Sequence, residues 1–222
     1  MRSLMGIKGV IFDFNGTLFW DTNIHNKAWD SFLDKKKICI SDYDKNIKIH
    51  GKNNKDILNT LFPDQLSSNE IDKLSAEKEK IYQELCLETD MQLAPGAKEF
   101  LNYLIKVNIP FTIATASGLD NVDFYFKHLG LNSFFDRSKV VFNDGTIRSK
   151  PHPQIFQKAI DILGIDRLET LVFEDSISGI IAAENTGVAR IIIVNSNDED
   201  YGHWNYQKIK DFREVDTKLL NE

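Results

Sequence analysis

Residues 9–17 read GVIFDFNGT. Gly9–Phe12 run unbroken into a carboxylate, Asp13, and then into Gly16-Thr17. A strand with one wet face alternates apolar and polar residues, whereas an unbroken apolar run fits a strand covered on both faces. Phe111–Ala114 (FTIA), Leu171–Phe173 (LVF) and Ile191–Val194 (IIIV) share this character. Val140–Phe142 is read as a fifth strand, and Lys208–Phe212, after a polar loop at Asn195–Asn205, as an edge strand. Between them lie helical patterns over Gly96–Val107, Val122–Leu129, Gln154–Leu163 and Ser178–Thr186. Strand alternating with helix predicts an α/β fold with a doubly wound, parallel-sheet, Rossmann-like core.

The stretch 19–91 breaks this rhythm. It carries lysine-rich amphipathic helices, the longest over Asn69–Leu87 with Asn69 as the expected N-cap, and no convincing strand. It reads as an inserted α-helical domain, leaving 1–18 and 92–222 as the α/β core.

Bulk properties narrow the function. The chain has 222 residues, a net charge of −6 and 42% hydrophobic residues, a length suited to one domain with a smaller insert. An acidic balance argues against a nucleic-acid partner, though a small anionic substrate remains compatible because local lysines or a metal override the global sign. No apolar run approaches a membrane span, and the first residues lack a signal-peptide core. Cys39 and Cys86, both in segments that read as helical, suggest buried thiols in a reducing compartment. A cytoplasmic monomer without membrane contacts is expected.

In such sheets ligands gather beyond the carboxyl ends of the strands. The first strand ends in Asp13-Phe14-Asn15-Gly16-Thr17, FTIA in Thr115-Ala116-Ser117, and LVF in Glu174-Asp175; Lys150-Pro151 precedes the helix leading to the third. Singly, each has a plain reading as a turn, a cap or a solvated charge. Together they place carboxylates, hydroxyls and an ammonium on one rim.

In this order the motifs resemble those of the haloacid dehalogenase family. IFDFNGTL resembles the first motif, Thr115 after FTIA the second, Lys150 in SKPHPQIF the third and Glu174-Asp175 in LVFEDSISGI the fourth. The likeness covers essentially the whole chain and is nearest to members of the β-phosphoglucomutase-like phosphatase subgroup, whose small helical cap matches residues 19–91. It implies a phosphatase acting on a small phosphorylated metabolite, a sugar phosphate above all, with Asp13 as nucleophile and Mg²⁺ as cofactor. Asp13, the main-chain carbonyl of Asn15, Glu174 and Asp175 would hold the ion; Thr115 and Lys150 would hold phosphoryl oxygens. Gly16 and Thr17 would bring backbone N–H groups to the phosphate, with Ala116 and Ser117 beside them. His25, near the cap hinge, and the Gly51-Lys52-Asn53-Asn54-Lys55 loop, through Gly51, Lys52 and Lys55, would meet the substrate.

Departures from the pattern carry information. The family's second aspartate is Asn15 here, and an amide cannot exchange a proton as a carboxylate does; such help is typically worth about 10²–10⁴ in rate. Nucleophile and metal site stay, and the acid–base partner goes. A slow phosphatase is the first reading; a phosphomutase and a phospho-ligand-binding relative that has lost turnover are the alternatives. Asn54 and Ser117-Gly118 stand where a mutase would carry cations for a second phosphate, which favours a monophosphate. From the sequence alone, Asn15→Asp should restore the missing proton transfer.

Overall fold

The computed structural model describes residues 6–220. Six parallel strands form one sheet in the order β3-β2-β1-β4-β5-β6: β1 Gly9–Phe12, β2 Phe111–Gly118, β3 Val141–Asn143, β4 Thr170–Glu174, β5 Arg190–Val194 and β6 Gln207–Ile209. β1 is flanked by β2 and β4, with Phe12 opposite both Ile113 and Phe173. The residues just beyond those three strands are therefore neighbours in space.

The unbroken apolar runs still obey the two-residue period of a strand. Val10 and Phe12 of β1, Leu171 and Phe173 of β4, and Ile192 and Val194 of β5 enter one core with α5 (Ala97–Lys106) and α6 (Leu119–Leu129). Ile11, Val172 and Ile191 enter another beneath α7 (Gln154–Leu163) and α8 (Ile177–Thr186). Both faces are covered, which is why the sequence shows no alternation. Phe12 stacks on Phe173 with ring centroids 5.2 Å apart, and Phe100 and Phe212 pack around the pair. Phe173 is fully buried, so Phe173→Ala should cost about 3–5 kcal/mol of stability. The shift in denaturant midpoint measures it.

Between β1 and α5 lie four helices: α1 Thr22–Asp34, α2 Asp42–Lys48, α3 Asn54–Leu61 and α4 Ser68–Leu87. They share an apolar cluster of their own, with Trp29, Phe32 and Leu33 from α1, Ile57 and Leu58 from α3, and Ile71 from α4. The chain leaves and re-enters the core side by side: Phe19 bridges Leu93, and Ala94 N–H donates to Leu18 C=O at 2.8 Å.

Several sequence expectations shift. α4 is capped by Ser67, not Asn69, because Ser67 and Glu70 close a reciprocal capping box. Cys39 is exposed and lies outside any helix; only Cys86 is buried. The last strand stops at Ile209, since Asp211 turns the chain into a short 3-10 segment at Phe212–Glu214. Only Gly51 and Lys52 of the lysine-rich loop lie in a turn: Asn53 caps α3, and Asn54 and Lys55 begin it. No helix among the described residues is long and apolar enough to cross a membrane.

Candidate active site

Asp13 follows β1 directly and is almost fully buried. Lys150, also buried, places Nζ 2.5 Å from Asp13 Oδ1 and 2.5 Å from Glu174 Oε1. Glu174 ends β4, and its other oxygen accepts from Ser176 N–H at 2.7 Å. Thr17 Oγ1 donates to Asp175 Oδ1 at 3.0 Å. Carboxylate oxygens of Asp13, Glu174 and Asp175 lie within 4.8 Å of one another. Two strand ends and the segment before α7 thus form one cluster.

The electrostatics follow from crowding. Burial pushes the Asp13 carboxyl up to about 7; Lys150 pulls the other way and Glu174 adds to the rise. Burial also lifts Asp175 well above the usual carboxylate range, with Glu174 and Asp13 contributing. For Lys150, burial opposes the charge, but attraction to Asp13 and Glu174 outweighs it and raises its pKa. With all three carboxylates ionised, one ammonium would leave two negative charges unbalanced, which is why burial favours their protonated forms until a cation binds. A hard, oxygen-seeking divalent cation fits that donor set and that charge. Gly16, at φ +81°, passes so close that a Cβ there would overlap the Asp175 carboxylate. Only glycine accepts both demands.

Asn15 lies beside this cluster with its side chain held at both ends. Oδ1 accepts from Ser117 Oγ at 2.8 Å and Thr115 Oγ1 at 3.3 Å. Nδ2 donates to Asp21 Oδ2 at 2.6 Å and to Tyr125 OH at 2.8 Å. Asp21, Tyr82 and Tyr125 were not singled out by the sequence. An Asp before a helical run reads as an N-cap, and the tyrosines sit in apolar helical patterns that read as core.

A cleft of about 1050 Å³ opens from these residues toward the four-helix insert. Asp13, Asn15, Thr115, Ala116, Ser117 and Asp175 line it from the core, and His25, Gly51, Lys52 and Lys55 from the insert. Gly16, Thr17, Lys150 and Glu174 lie behind that lining, with Thr17, Lys150 and Glu174 buried. His25 rests flat on Tyr82 at 3.9 Å between centroids, with Nδ1 3.0 Å from Lys78 Nζ; Trp29 is packed in the insert's own cluster. Gly51 is pressed against Ser176 and Ser178, so the insert's turn docks on the start of α8. Glu79, also missed by the sequence, accepts from Asn54 and, across the cleft, from Asn121 of α6 at 2.7 Å.

The chain belongs to the haloacid dehalogenase-like hydrolase family, whose model matches residues 7–187. It is similar to a family IA, variant 3 hydrolase from Entamoeba histolytica, with 32% identity, a TM-score of 0.86 and 97% of this chain and 98% of that one covered. A β-phosphoglucomutase from Clostridium difficile shares the fold at 23% identity, with a TM-score of 0.80 over 97% and 96% of the two chains. Among curated proteins, the phosphorylated carbohydrates phosphatase of Thermotoga maritima is 30% identical over 119 residues, 54% of this chain and 52% of that protein. The chain spans about half the length of the first curated relatives it matches.

Proposed function

We propose that this chain is a cytoplasmic, Mg²⁺-dependent phosphatase of small phosphomonoesters, sugar phosphates above all, working through a phosphoryl group carried on Asp13. The observation that supports it most is Lys150, whose ammonium bridges Asp13 and Glu174 while Asp175 completes a cluster of three carboxylates around one ammonium. Asp13 is the carboxylate of that cluster that lines the cleft directly after β1. Its oxygen attacks phosphorus, the bond from phosphorus to the leaving alkoxide breaks, and water later cleaves the acyl phosphate, returning free Asp13. Lys150 would offset charge at the nucleophile, and the hydroxyls of Thr115 and Ser117, which donate to Asn15 Oδ1 in this structure, would turn to phosphoryl oxygens when substrate enters the cleft. Mg²⁺, held by Asp13, Asp175 and the main-chain carbonyl of Asn15 with Glu174 nearby, would neutralise carboxylate and phosphoryl charge. The phosphatase named for phosphorylated carbohydrates among the relatives supports the substrate class. Residues 19–91 would act as a cap over residues 1–18 and 92–222.

A screen of phosphorylated metabolites with and without Mg²⁺ tests the activity. The metal is tested separately: Mg²⁺ should raise the melting temperature, as a ligand selective for the native state does, and Asp175→Ala should remove that rise. Equal rises in both proteins would place the ion elsewhere.

Of the two insert lysines, Lys52 is half-buried in the cleft wall and Lys55 is exposed. Burial lowers the pKa of Lys52, with Asp56 opposing, so its charge lacks full hydration until a substrate anion arrives. Lys52→Ala should lower kcat/KM about 5–30-fold, equivalent to about 1–2 kcal/mol, mainly through KM, and Lys55→Ala by less. Identical kinetics for Lys52→Ala and the parent would remove this turn from the substrate site.

A further inference from the structure

Two hydroxyls outside the acidic cluster, those of Ser196 and Tyr201, have no role in the proposal above. In the sequence they belong to a polar loop after β5, and the sheet gives that loop its place. β5 lies beside β4, with Ile193 opposite Glu174, so the chain leaving β5 at Val194 emerges next to Asp175. Both hydroxyls turn back onto the site. Ser196 Oγ donates to the main-chain carbonyl of Gly16 at 2.7 Å, and Tyr201 OH donates to the main-chain carbonyl of Asp175. Those two carbonyls belong to residues that touch, since a Cβ on Gly16 would overlap the Asp175 carboxylate. One loop thus holds both sides of the contact between the turn after β1 and the end of β4.

The loop is itself well tied. Asn195 Oδ1 accepts from Glu199 N–H at 2.8 Å, its Nδ2 donates to Glu199 C=O at 3.1 Å, and its own N–H donates to Ile209 C=O at 2.8 Å. The Tyr201 ring is buried against Ile180 and Ile193, which aims its hydroxyl. On the other side, Gly16 N–H donates to Phe19 C=O at 2.7 Å. That N–H shares a planar peptide unit with the Asn15 carbonyl, so bonds on Gly16 N–H and C=O orient the Asn15 carbonyl as well. Asp175 is held at both ends, its carboxylate by Thr17 and its carbonyl by Tyr201. We propose that Tyr201 and Ser196 are positioning residues for the cation site: they fix the separation of Asp175 from the Asn15 carbonyl and so fit the site to a small ion. Neither side chain touches the ion. Mg²⁺ demands near-octahedral oxygens at about 2.0–2.1 Å, whereas Ca²⁺ takes a more flexible set at about 2.3–2.6 Å. Slack in the ligand positions therefore penalises Mg²⁺ far more than Ca²⁺. A loop that only satisfied two buried carbonyls would cost stability when cut and leave the choice between ions alone.

This inference rests on the Mg²⁺ part of the reading above and not on turnover, so the test uses neither substrate nor hydrolysis. The parent, Tyr201→Phe and Ser196→Ala are each melted at rising MgCl₂ and, separately, rising CaCl₂, and the rise in melting temperature gives a Kd for each ion. Trp204→Phe is the control: it disturbs the packing beside Tyr201 and the bond to Glu184 but spares both hydroxyls. Tyr201→Phe should weaken Mg²⁺ binding about 10–100-fold, the usual effect of losing a partner behind a metal ligand, and Ca²⁺ binding by less than about threefold. Ser196→Ala should shift the Mg²⁺/Ca²⁺ preference in the same direction by about threefold or more. Trp204→Phe should lower the melting temperature and leave the preference within about twofold. If Tyr201→Phe yields no folded protein, the preference of Ser196→Ala decides. Equal weakening of both ions, an unchanged preference in the hydroxyl variants, or the same change in Trp204→Phe would overturn the inference and leave the Mg²⁺ reading standing. A parent that binds neither ion would overturn both.

Discussion

Asp13→Asn is expected to lower turnover on every phosphomonoester by a factor on the order of 10⁴–10⁶, as loss of a covalent nucleophile does. Asp13 alone of the acidic cluster follows β1; it shares Lys150 with Glu174, whose other oxygen accepts from Ser176, and Asp175 accepts from Thr17. The same substitution has an opposite effect on stability. Burial raises the Asp13 carboxyl from 3.8 to about 7, so between those values the folded state binds more protons than the unfolded one. Stability contributed by this group therefore falls as pH rises through that window. Without metal, the Asp13→Asn variant should match the parent near pH 4 and melt several degrees higher above pH 7. Added Mg²⁺ should close the gap by stabilising the parent. Melting curves in a chelator at pH 4, 6 and 8 check this, and a variant less stable than the parent at pH 8 would show that Asp13 is not held against its charge.

Removing the cation works the other way. Lys150→Met leaves Asp13, Glu174 and Asp175 without their ammonium, and breaking a buried pair typically costs about 3–5 kcal/mol. Turnover should fall about 10²–10³, the scale of one lost electrostatic contact at the reacting centre. Mg²⁺ should then raise the melting temperature more in the variant than in the parent, since the ion becomes the main counter-charge. A smaller Mg²⁺ shift in Lys150→Met would mean that Lys150 shapes the metal site rather than sharing its charge. Denaturant midpoints with and without the ion give both numbers.

The α/β sheet was legible because its strands are continuous apolar runs, and that pattern belongs to a sheet buried on both faces. Asp13, Lys150, Glu174 and Asp175 were legible because each follows a strand or precedes a helix, and parallel strands bring their carboxyl ends to one rim. Helix starts were less so: Asn69 and Ser67 both suit an N-cap, and only the reach of Glu70 back to Ser67 decides between them. Cys39 misled because the helical pattern of α1 ends at Asp34, several residues before it. Asp21, Tyr82, Tyr125 and Glu79 stayed hidden for a different reason. Their partners lie 6 to 110 residues away and across the cleft, and local pattern carries no record of such pairings. Asp21 in particular shows the spelling of a helix cap and does something else.

Trapping the covalent intermediate tests the account most directly. The protein is mixed with Mg²⁺ and an acyl or aryl phosphate, quenched in acid and digested, and the peptide containing Asp13 is weighed. With Asn15 in place of a proton-transferring carboxylate, hydrolysis of the acyl phosphate is the slow step, so it should accumulate. The expected result is one added phosphoryl group on Asp13, removed by hydroxylamine and absent from the Asp13→Asn variant. Steady turnover with no phosphoryl group on Asp13 at any time, or the same labelling in the Asp13→Asn variant, would contradict the account.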